Sequence, residues 1–150
     1  MSKAIQDWPN DSEMQNYQYK KQVEAYNQVC NLPNSDNFNA DILAKAQIDW
    51  PDDYEMQLYQ YNKQLEAYFE VMGLPNTGDY HKEILNKAQQ DWPNDYEMQL
   101  YQYNKQLQAY NEIQQLSNTS NYNEDALNRA RSDWPDDYEM QLYQYHQEVG

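Results

Sequence analysis

Only one cysteine, three glycines and two phenylalanines occur in the 150 residues, and ten basic side chains face 25 acidic ones. Each scarcity excludes something. A lone Cys30 cannot close an intrachain disulfide. Its counterparts in the repeat described below are Met72 and Gln114, so its position reads as a packing site and not a reactive thiol. The net charge of −15 sets the surface against nucleic acid and anionic membranes, and favours solubility and a basic partner. No apolar run reaches the roughly 18 residues of a membrane span. The opening segment has no apolar stretch of the signal-peptide kind, so a cytoplasmic protein is expected. The two histidines, His81 and His146, occupy non-equivalent repeat positions and no metal or catalytic spacing, and read as surface residues. With no Gly-rich phosphate loop either, the sequence predicts no enzyme, no metal and no cofactor.

What the chain does have is a repeat. Trp8, Trp50, Trp92 and Trp134 recur at a period of 42, each followed by proline. Asp49–Tyr68 and Asp91–Tyr110 differ at only two positions. The units run approximately 8–49, 50–91 and 92–133, with a final capping helix over 134–150, and form a single helical-repeat domain. Tyrosine, present 16 times, supplies apolar area that the modest aliphatic content does not.

Within each unit Tyr54, Leu58, Tyr61, Leu65, Tyr68 and Met72 step by four and three, which places them on one helix face. One unit later the stripe is Tyr96, Leu100, Tyr103, Leu107 and Tyr110. With Trp50 and Trp92 these residues form the expected core. The start of the long helix is predicted as a capping box at Asn10/Glu13, Asp52/Glu55, Asn94/Glu97 and Asp136/Glu139. Proline bars the preceding tryptophan from helical geometry, so the previous helix must end there. A shorter helix over about Tyr80–Asp91 carries Tyr80, Ile84, Ala88 and Trp92 on one face. The connection between the two holds Gly73, Pro75 and Gly78, enough to reverse the chain. The fold expected is all-α: an α/α solenoid of helix-turn-helix units with about seven helices.

The segment Gly78–Asp95, "GDYHKEILNKAQQDWPND", resembles the second helix and inter-repeat turn of the tetratricopeptide family. Leu85, Ala88 and Pro93 carry that family's spacing. The period of 42 departs from the family's 34, and bulky Tyr and Leu replace its small first-helix residues. The resemblance implies a right-handed superhelix whose concave side binds peptides.

Candidate sites follow from the repeated rows. The acids Asp49, Asp52, Asp53 and Glu55 lack the spacing of a calcium loop and suit helix starts. Tyr17, Tyr59, Tyr101 and Tyr143 sit one residue past the stripe and are expected to widen the apolar face. Gln60, Asn62 and Lys63, with Gln102, Asn104 and Lys105, are the expected peptide-binding residues, because amides both donate to and accept from a backbone. Three functions remain open: a protein or peptide interaction scaffold, a consensus-designed array with no native ligand, and an acidic decoy for a basic nucleic-acid-interacting protein.

Overall fold

The computed structural model describes residues 1–33, 36–75 and 78–150; part of the chain reversal expected between Gly73 and Gly78 lies outside these. The chain is all-α, and among the described residues there is no strand. Long helices α2 (Ser12–Cys30), α4 (Tyr54–Met72), α6 (Tyr96–Gln115) and α8 (Tyr138–Val149) alternate with short helices α1 (Ser2–Asp7), α3 (Asn37–Asp49), α5 (Asp79–Asp91) and α7 (Glu124–Asp133). A 3-10 turn, Leu116–Asn118, follows α6. The expectation of seven helices missed α1, which the opening "SKAIQD" forms. No helix among the described residues is long and apolar enough to cross a membrane.

Every unit turns the same corner. The tryptophan closes the short helix through its backbone N–H, which donates to the carbonyl of Ala4, Ala46, Ala88 or Ala130. It then leaves helical geometry, at φ −131° and ψ 65° for Trp92 and Trp134, as the proline after it requires. Trp50, Pro51, Asp52 and Asp53 make a β-turn closed by the Asp53 N–H on the Trp50 carbonyl at 3.3 Å. The cap therefore lies one residue later than expected. Asp11, Asp53, Asp95 and Asp137, not Asn10, Asp52, Asn94 and Asp136, accept the N–H of Met14, Met56, Met98 and Met140, each at 3.1 Å. The turn uses up the residue after proline, so the capping carboxylate must come from the next one.

The chain divides into two compact units, Met1–Phe69 and Glu70–Gly150. In the first, the Phe38 ring stacks on Tyr68 at 4.2 Å and Tyr26 meets Tyr54 edge to face at 5.0 Å. In the second, α5 packs on α6, and both α6 and α7 pack on α8. Tyr80 there stacks on Tyr110 at 4.3 Å, and Tyr110 meets Tyr138 edge to face at 5.2 Å. Ile113, Leu116, Ala126, Leu127 and Tyr145 form a buried cluster. Ala46, Ala88 and Ala130 are fully buried, because a methyl side chain lets the short helix approach closely.

The core is narrower than the stripe. Tyr61 and Tyr103 are 1% exposed, while Tyr54, Leu58, Leu65, Tyr68, Tyr96, Leu100, Leu107 and Tyr110 are half-buried. Trp50 and Trp92 are corrections: both are 38% exposed, because the corner turns the indole outward to a polar partner. Met72 is 65% exposed, and Cys30, at the same repeat position, is exposed too, so that position is no packing site. His81 is also not a plain surface residue; it lies half-buried against Tyr80, with Nδ1 enclosed.

Candidate functional site

Rows of glutamine along the long helices hold the corners; α8 carries two of the three, with Glu148 in the third place. Gln57, Gln99 and Gln141 are 2–3% exposed, and each Nε2 donates to the carbonyl of its unit's tryptophan at 2.7 Å. Three residues on, Gln60, Gln102 and Gln144 work in two directions. Their Oε1 accepts the indole N–H of Trp50, Trp92 and Trp134 at 2.8–2.9 Å. Their Nε2 donates to Asp49, Asp91 and Asp133 at 2.8–3.0 Å. Asp49 and Asp91 also take Lys45 and Lys87. These contacts hold the carboxyls below the usual carboxylate range: Lys45 then Gln60 at Asp49, Gln102 then Lys87 at Asp91, Gln18 then Lys3 at Asp7.

A third glutamine reaches the following long helix. Gln22 donates to Asp53 at 2.9 Å and accepts the Tyr54 N–H at 2.8 Å. Gln106 repeats this on Asp137 and Tyr138 at 2.9 and 2.7 Å. One capping carboxylate thus closes its own helix and receives the neighbour's amide. The sequence carried a signal for the first of these rows, not for this one: glutamine stands at all four copies of position 57, on the same face as the buried Tyr61.

The expected peptide-binding residues do not all share a surface. Gln60 and Gln102 are committed to Trp and Asp. Asn62 and Lys63 are exposed, as are Asn104 and Lys105. Residues two apart on a helix point to nearly opposite sides. In the second unit Gln102 lines one groove of about 490 Å³. Asn104 lines another of about 600 Å³, with Leu107, Asn111, Leu116, Leu142 and His146. Lys105 borders neither and holds its ammonium 5.7 Å from the Tyr101 ring, as Lys63 does over Tyr59.

The chain matches no protein family, curated protein or solved structure. Tyr17, Tyr59, Tyr101 and Tyr143 are 57–60% exposed, so they do not widen the core. Tyr101 instead flanks the first groove, with Trp92, Trp134 and the acids Asp91, Asp133, Asp136, Asp137 and Glu139. Among the described residues no group of His, Cys, Asp and Glu is arranged to hold a metal ion.

Proposed function

We propose that this chain is a non-catalytic helical-repeat scaffold that engages a protein or peptide through its exposed tyrosine face. The observation that carries the reading is a contrast among exposed positions of the long helix. Tyrosine stands at 17, 59, 101 and 143 without exception, though more than half of each residue is exposed. Other exposed positions of the same helices have changed: Asn27, Phe69 and Asn111 are equivalents, as are Lys20, Asn62, Asn104 and His146. Recent copying would have preserved these as well. Large aromatics kept with more than half of their surface exposed are what a binding surface uses. The tetratricopeptide likeness belongs to the same proposal, and is supported by the short helix Asp79–Asp91 and the turn after it.

The test is a displayed random-peptide library panned on the full chain and counter-selected on a Tyr17→Ser, Tyr59→Ser, Tyr101→Ser, Tyr143→Ser variant of unchanged helicity. Recovery of peptides that need the tyrosines is the expected result; their absence overturns the proposal. A second reading, an array with no ligand of its own, is favoured by Gln60 and Gln102 being spent within the chain. A library yielding nothing supports it.

A further inference from the structure

We infer that the groove beside Tyr101 takes the ammonium or guanidinium groups of a basic peptide segment, an inference that rests on the tyrosine-face reading. The rings come first. Trp92, Tyr101 and Trp134 border one groove, and both indole N–H groups are tied to Gln102 and Gln144 at 2.9 Å. What these indoles offer a ligand is therefore ring surface and not a donor. A cation within about 6 Å of such a ring is attracted to its face, and Tyr101 already holds the Lys105 ammonium at 5.7 Å.

Charge selects the sign of the occupant. Five carboxylates line the groove against one lysine, and that lysine, Lys87, is bound to Asp91 at 2.9 Å. Asp91, Asp133 and Asp137 are engaged by glutamines. Asp136 and Glu139 accept no hydrogen bond among the described residues, and the charge Asp136 faces within the groove is that of Lys87, already paired with Asp91. The arrangement is also kept as a set. All thirteen lining residues recur unchanged two copies earlier, from Lys3 to Glu55. Only three of the ten lining the neighbouring Asn104 groove do so. The corner's hydrogen bonds account for the Trp and Gln of that set and for Asp91, Asp133 and Asp137, but not for Asp136, Glu139 or the exposed tyrosine.

A chain of net charge −15 attracts any polycation, so the test must separate ring from charge. The probe is a blocked decapeptide of alternating lysine and glycine, titrated into the full chain at low salt with tryptophan fluorescence as readout; its glutamate counterpart is the control. Saturable binding of the lysine peptide alone is expected. Tyr17→Ser with Tyr101→Ser leaves the net charge untouched, and is expected to weaken binding about five-fold or more. Asp136→Asn with Glu139→Gln is expected to weaken it as well. Equal affinity in the tyrosine variant means attraction by net charge alone and overturns the inference, as does the absence of saturable binding. Tyrosine-dependent library peptides of neutral or acidic composition overturn it too, while leaving the scaffold proposal standing.

Discussion

At the scale of single residues, the tryptophan that marks each repeat is a hinge-pin and not core. Removing a buried Trp typically costs about 3–5 kcal/mol. With Trp92 38% exposed and its chief polar contact one hydrogen bond to Gln102, Trp92→Phe is expected to cost only about 1 kcal/mol. Tyr103, 1% exposed, belongs to the other class, and Tyr103→Ala is expected to cost about 3–5 kcal/mol. Urea denaturation of the two variants checks the order. A larger loss for the tryptophan would show that its ring, and not its corner, organises the unit. The fully buried tyrosine needs a short helix over it. In the first copy, where α1 has six residues, the equivalent Tyr19 is 44% exposed.

At the scale of elements, the long and short helices, their alternation and the corner were legible, because heptad spacing and proline act locally. The cap was misplaced by one residue, since nothing in "WPDD" says that the turn consumes the first acid. The candidate site was less legible. Gln60 looked like a free amide on an open face, and only the packed corner shows that Trp50 and Asp49 occupy both its ends. Gln106 was not singled out, because a partner 31 residues away in Asp137 leaves no local pattern. Its loss has a defined consequence. Gln106→Ala removes a donor from Asp137 and the acceptor for the Tyr138 N–H, at about 1 kcal/mol for each bond. Gln106→Glu keeps the acceptor but faces the Asp137 carboxylate with a like charge, and is expected to be the worse variant at neutral pH. Hydrogen exchange at the start of α8 should rise in both. Protection unchanged there would mean that the packing of α6 on α8 holds the helix start without the amide.

At the scale of the whole molecule, charge governs the response to solvent in two ways that differ in direction. The net charge of −15 repels itself, and salt screens that repulsion over about 10 Å at 0.1 M. A modest rise in Tm with monovalent salt is therefore expected. Acid acts through particular groups. Asp7, Asp49 and Asp91 have folded pKa values below the unfolded one, through their glutamine and lysine partners. A depressed carboxyl contributes stability that is fully present above its unfolded pKa, about 3.9 for aspartate. That contribution drains away as pH falls from there through the depressed folded value. These three groups therefore add no pH dependence between neutrality and about pH 5, and a loss of Tm below about pH 4. Since the amide is one of the two main causes at each site, Gln60→Ala with Gln102→Ala should raise the Asp49 and Asp91 pKa values and flatten that acid limb. NMR titration of the two carboxyls together with Tm against pH reads both effects in one series. An acid limb as steep in the double variant as in the parent would assign acid sensitivity to other carboxylates. The glutamine corners would then be geometric supports without a charge-stabilising role.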